Sequence, residues 1–135
     1  DAKRMAHTHQ FIMSILITKL MESGDMKRAK LVEDKWQKEL PDYNVPYTED
    51  VLAMAECYYR LKDYGKADDI VTNLLERSAE WLSWYKSLEK HGMSISQFQR
   101  DSWFRTMQNA LITANNNQRT KLVNKYIKTY EDNIK

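Results

Sequence analysis

The chain has 135 residues, 42% hydrophobic and 30% charged, enough for one packed domain with its own core. Its 21 basic and 19 acidic residues leave a net charge of +2, too small to predict the concentrated basic face that nucleic-acid binding needs. No run approaches the roughly 20 apolar residues that span a bilayer, since Ser14, Thr18 and Lys19 interrupt the most apolar stretch, Phe11 to Leu20.

With 3 Gly and 2 Pro, turns are few and helices long. The chain begins with Asp1 rather than Met and reads as a piece of a longer polypeptide, one domain over 1–135. The lone Cys57 has no internal disulfide partner and reads as a buried structural thiol.

The first helix is expected from Ala2 to Glu22, with Ile12, Ile15, Leu16, Lys19 and Leu20 as its inner stripe and Phe11 and Met13 widening it. Gly24 supplies a left-handed stop, and Asp25 caps the next helix. The second helix covers Met26 to Leu40, with Ala29, Val32, Trp36 and Leu40 inward, and ends at Pro41. Pro41 to Pro46 is the one clear loop. The third helix starts near Tyr47 or Thr48 and turns inward Val51, Met54, Ala55, Tyr58 and Leu61.

Asp63-Tyr64-Gly65 turns the chain into a fourth helix carrying Ala67, Ile70, Val71, Leu74, Leu75, Leu82, Tyr85 and Leu88. No breaker precedes His91-Gly92, so this is either one rod of about 25 residues or a helix kinked near Ser78. The fifth helix starts around Ser94 or Ser96 and reaches Ala114, with Phe104, Met107, Leu111 and Ile112 leading its apolar face. Asn115-Asn116-Asn117 suits a turn, and the sixth helix runs from Gln118 to Asn133, burying Leu122, Val123, Tyr126, Ile127 and Tyr130.

Three polar turns are each followed, five residues after their first position, by a small residue: Ala29, Ala67 and Thr120. Such spacing marks antiparallel helix pairs whose backbones approach closely. The second pair, through Ala55, Tyr58, Tyr64, Ala67, Val71 and Leu74, resembles the tetratricopeptide repeat. The first pair follows through Leu16, Leu20, Gly24, Ala29 and Pro41, with Ile17 at the usual small position. The third has Gln108 at that position and Thr120 in place of alanine. The fold expected is all-α, a six-helix right-handed solenoid of three antiparallel pairs with a long fourth helix.

A narrower resemblance rests on Leu40-Pro41-Asp42-Tyr43-Asn44-Val45-Pro46-Tyr47, Ala55-Glu56-Cys57-Tyr58-Tyr59, Gly65-Lys66-Ala67 and Leu82-Ser83-Trp84-Tyr85-Lys86-Ser87-Leu88. These strings are similar to the C-terminal soluble domain of a Bacteroidetes family of polytopic membrane proteins, whose membrane part resembles protein O-mannosyltransferases. The resemblance implies an extracytoplasmic, periplasmic module, tethered through a membrane segment that this sequence does not include. It implies no catalytic residue here.

Few residues carry chemistry. His7 and His9 point about 200° apart on a helix and cannot share a metal. The acidic pairs Glu49-Asp50, Asp68-Asp69 and Glu131-Asp132 diverge, and no phosphate loop or nucleophile elbow is present, so neither enzyme nor cofactor is expected. Lys121, Lys125 and Lys128 read as a solvated face, with an anionic surface or acidic partner as the other reading.

In tetratricopeptide modules the first helix of each pair lines a concave groove. Carried onto this chain, that groove takes Phe11, Ser14, Thr18 and Met21, then Glu49, Leu52, Glu56, Tyr59 and Arg60, then Ser102, Arg105, Asn109 and Ile112. Leu52, Glu56, Tyr59, Arg60, Arg105 and Asn109 are the expected contacts for a protein or peptide, with Tyr59 and Arg60 foremost. The face shared by Trp81, Trp84, Tyr85 and Leu88 reads as core beneath the fifth helix, with Trp81 and Tyr85 buried and Trp84 nearer the edge; the alternative is a glycan or glycoprotein platform on Trp84 and Tyr85.

Overall fold

The computed structural model describes residues 2–43, 47–93 and 97–134. The described residues are all-α: α1 (Ala2–Glu22), α2 (Met26–Tyr43), a 3-10 turn (Glu49–Val51), α3 (Leu52–Arg60), α4 (Tyr64–Lys90), α5 (Gln97–Asn116) and α6 (Thr120–Asp132). They group into two compact units, Asp1–Ile70 and Val71–Lys135. None of the helices is long and apolar enough to cross a membrane, among the described residues.

One device ends four of these helices. Gly24 donates to Met21 O and Asp25 to Leu20 O; Lys62 to Tyr59 O and Asp63 to Tyr58 O; Gly92 to Glu89 O and Met93 to Leu88 O; Gln118 to Asn115 O and Arg119 to Ala114 O. Each set is a Schellman closure, and the residue after the helix stands at positive φ: Gly24 78°, Lys62 65°, Gly92 73°, Gln118 60°. Asp25 and Asp63 then cap α2 and α4 by accepting from the amides of Arg28 (3.1 Å) and Lys66 (3.4 Å).

The first turn, Gly24-Asp25, falls as expected, whereas the second and third fall at different residues. Gly65 lies inside α4, and the left-handed residue is Lys62. Asn115 and Asn116 are the end of α5, and the left-handed residue is Gln118. The same i→i−4 bond marks Ala29 (to Asp25), Ala67 (to Asp63) and Val123 (to Arg119). Val123, not Thr120, is thus the third counterpart of the two buried alanines. The third pair carries a branched residue at that place, and Thr120 is exposed.

Other boundaries shift less. α2 runs through Pro41 to Tyr43, past the proline at which the helix was expected to end. Residues 44–46, the rest of the expected loop, and the proposed start of the fifth helix at Ser94 or Ser96 lie outside the described residues. α4 is continuous through Ser78, with no break there.

The first unit is built on α1, which packs against α2, the 3-10 turn and α3. Its buried face is Gln10, Met13, Ser14, Ile17 and Met21. The expected stripe is displaced by about one residue, a rotation of ~100°. Phe11, Ile12, Ile15 and Leu16 are 41–56% exposed. The segment is apolar nearly all round, so hydropathy alone offers two candidate faces and the neighbours select one. Ala29, Glu33 and Trp36 of α2 are fully or almost fully buried, and burial of Trp36 or Ile17 contributes about 2–3 kcal/mol each.

Thr48 precedes the 3-10 turn in extended backbone but makes no side-chain cap to it. The buried Gln10 ties Thr48 to α1: its Oε1 accepts from Thr48 N (3.4 Å) and Thr48 Oγ1 (3.3 Å).

In the second unit, Leu74, Leu75, Ser78, Leu82 and Tyr85 form the buried line of α4, close to expectation except for Ser78. α5 packs against α6 and buries Thr106, Met107, Ala110, Leu111 and Ala114. Ile112, expected inside, is 49% exposed. Of the five α6 residues expected inside, Tyr126 alone is fully buried and the others are half-buried.

Candidate functional site

Trp81, Trp84 and Tyr85 sit at i, i+3 and i+4 on α4, so one helical face carries three rings. Phe98, Gln99, Ser102 and Trp103 occupy the first turns of α5. Together these seven residues line an open cleft of about 450 Å³. Trp81 and Trp103 stack at 5.8 Å with a 12° interplanar angle, and Trp81 meets Trp84 edge-on at 5.4 Å. Tyr85 lies 5.9 Å from Trp81 and 5.5 Å from Trp84, is 3% exposed, and donates its hydroxyl to Gln99 Oε1 at 3.4 Å.

The wall is braced around its rim. The Arg77 guanidinium stands 5.6 Å from the Trp103 ring, and Arg100 Nη1 meets Glu89 Oε1 at 3.1 Å, joining α5 to α4. Lys86 Nζ donates to the carbonyl of Asp132 at 2.9 Å.

Three large aromatic residues are nonetheless open to solvent: Trp81 at 38%, Trp84 at 51% and Phe98 at 78%. Leaving three such rings exposed together is expensive unless something covers them. Of the glycan pair read from sequence, Trp84 is open, whereas Tyr85 is the floor of the cleft. Phe98 and Trp103 were not among the residues read from sequence as a site, since the apolar periodicity of that helix runs through Phe104, Met107, Leu111 and Ile112.

The groove residues are distributed differently. Tyr59 is 3% exposed, donates its hydroxyl to Asp68 Oδ1 at 2.7 Å and lies 6.2 Å from the Tyr64 ring, so it is a core residue and presents no surface. Arg60 is exposed, its Nε 3.3 Å from Glu56 Oε2 one turn back. Leu52 and Glu56 are half-buried. Arg105 is exposed and Asn109 half-buried on α5, in the other unit. Ser14 and Met21 are buried, Thr18 is half-buried and Phe11 is exposed.

A buried polar group that sequence reading passed over lies on α2. Glu33 is fully buried, and among the described residues neither carboxyl oxygen makes a well-formed hydrogen bond. The buried Cys57 thiol stands beside it. Burial raises the Glu33 carboxyl from 4.5 to about 8, and Asp34 pushes the same way, against the thiol and Lys66. Glu33 is therefore neutral at pH 7. Burial also raises the Cys57 thiol, with Glu33 adding to it, so the thiol is inert. The next hydroxyl, that of Tyr58, is raised by burial and by Glu33, and donates to Gln37 Oε1 at 3.2 Å. The signal was legible: four residues beyond Ala67 stands Val71, but four beyond Ala29 stands Glu33.

A second open depression, of about 520 Å³, runs between α5 and α6 past Leu111, Ile112, Val123, Ile127 and Tyr130. Gln108 Nε2 donates to Tyr130 Oη there at 3.1 Å. His9 Nε2 lies 2.8 Å from Glu39 Oε2. Among the described residues no three His, Cys, Asp or Glu side chains converge to hold a metal ion. Lys121, Lys125 and Lys128 are exposed along α6.

No family model matches the chain, and neither a curated protein nor a solved structure matches it.

Proposed function

We propose that the chain is a non-catalytic binding module that takes a peptide segment of a protein partner in the aromatic cleft of its C-terminal unit. The observation that carries this reading is the exposure of Trp81, Trp84 and Phe98 around one cleft of about 450 Å³. Aromatic side chains supply large contact area at low entropy cost, and a cleft of this size accommodates a few side chains. The lining of rings, an amide and a hydroxyl offers contacts rather than an acid and a base poised for proton transfer.

The helix, left-handed residue and capping Asp shared by Gly24-Asp25 and Lys62-Asp63, each followed by a buried alanine, support a tetratricopeptide-like scaffold for the module. Attachment to a periplasmic-facing membrane glycosyltransferase-like parent rests on the sequence resemblance.

The test is capture of peptides from a display library by the whole chain. Trp84→Ala and Phe98→Ala should each weaken the selected peptides about tenfold or more, while Arg60→Ala leaves them unchanged. Binding indifferent to both ring substitutions, or abolished by Arg60→Ala, returns the contact to the groove residues. A second reading, a glycan stacked on Trp84, is favoured by the half-exposed indole beside the Gln99 amide and the Ser102 hydroxyl. Quenching of tryptophan fluorescence by mannose-type oligosaccharides, lost in Trp84→Ala, would select it.

A further inference from the structure

We infer that the segment taken by the cleft is proline-rich and extended, in the polyproline II conformation; this rests on the peptide reading of the cleft. The first argument is charge. Trp81, Trp84, Tyr85, Phe98, Gln99, Ser102 and Trp103 include no charged side chain; of the charges at the rim, Glu89 and Arg100 pair at 3.1 Å and the Arg77 guanidinium stands 5.6 Å from the Trp103 ring. The lining therefore offers no ion pair to an acidic, basic or phosphorylated segment.

The second argument is the balance of donors and acceptors. Among the described residues the indole N–H groups of Trp81, Trp84 and Trp103 have no hydrogen-bond partner, so three donors stand on residues that line the cleft. Open acceptors are fewer: Gln99 Oε1 already receives the Tyr85 hydroxyl, Tyr85 itself is 3% exposed, and Ser102 contributes the third side-chain oxygen. A sugar brings a donor with every hydroxyl, and an ordinary peptide brings an N–H with every residue. A proline-rich segment brings carbonyls and lacks the N–H groups, which is the complement of this wall.

The third argument is shape and entropy. Pyrrolidine rings present flat apolar faces of the size that Trp and Tyr pack against, and aromatic-lined grooves are the general means of holding such segments. The cleft is open and grips nothing from above, so a ligand already fixed in its bound conformation loses least on docking.

The experiment is a titration of the ¹⁵N-labelled chain, observed at its four indole N–H resonances, with capped decaproline. The controls are capped Gly-Ser and Phe/Leu-containing decamers and a mannotriose. Trp36, 1% exposed in the other unit, is the internal reference. Decaproline should shift the resonances of Trp81, Trp84 and Trp103, leave Trp36 in place, and bind about tenfold more tightly than the Gly-Ser control. Phe98→Ala should weaken it by a similar factor without removing an indole.

If the Phe/Leu peptide shifts the three indoles and decaproline does not, the peptide reading of the cleft stands and the proline inference falls. If only mannotriose shifts them, or nothing does, both fall.

Discussion

Exchange of Glu33 for glutamine should flatten the dependence of stability on pH between 5 and 8. The carboxyl lies at about 8 in the folded chain against an ordinary 4.5. A folded value above the unfolded one means the folded state binds the proton more tightly. The resulting stabilisation is fully present below 4.5 and is lost as pH rises through 8. At 1.36 kcal/mol per unit, the full span is about 5 kcal/mol, of which about 3 kcal/mol disappears between pH 5 and pH 8. Against a total stability of roughly 5–15 kcal/mol, that is a large fraction.

Glutamine keeps the shape and removes the titration. Glu33→Met, a hydrophobic side chain of similar length, guards against the cost of the new amide. Urea unfolding of the wild type and both variants at pH 5, 6, 7 and 8, followed by far-UV circular dichroism, gives the three slopes. The wild-type-minus-variant difference cancels the three histidines. That difference should move by about 3 kcal/mol over the range, with both variants gaining on the wild type as pH rises. Parallel slopes would refute the reasoning, since the carboxyl would then be ionised or solvated in the folded chain.

Several other substitutions have calculable outcomes. Lys62→Gly and Gln118→Gly should each raise stability by about 1 kcal/mol in urea unfolding, because the left-handed backbone strains any side chain bearing a Cβ. Gly24→Ala should lower stability by about 1 kcal/mol, all of it conformational, since an added Cβ meets nothing within 4 Å. Ser78→Ala should stabilise by about 1 kcal/mol, as the buried hydroxyl has no partner among the described residues; a loss of stability would reveal one. Tyr59→Phe should cost about 1.5 kcal/mol through the bond to Asp68 and leave peptide capture unchanged, separating a core role from a contact role.

Much of the fold is legible in local sequence because its determinants are local. The bounds of α1, the cap at Asp25, the long α4 and the buried line from Ala67 to Tyr85 follow from periodicity, capping chemistry and the absence of breakers. Even Glu33 was within reach, since its spacing from Ala29 matches that of Val71 from Ala67.

Tertiary packing decides what local rules leave degenerate. On α1, apolar residues nearly encircle the helix, and only the placement of α2 and α3 puts Ile17 inside and Ile12 outside. At the turns, a Schellman closure needs its left-handed residue where the helix ends, so Lys62 and Gln118 take that conformation although Gly65 and the asparagines suit it better. The cleft is the furthest from local reading. Trp81 and Trp84 are visible on one helix as a pair of rings, but the cleft exists because Phe98 and Trp103, from α5, complete its wall. Periodicity fixes which residues share a helical face, whereas the juxtaposition of two faces depends on how distant segments pack.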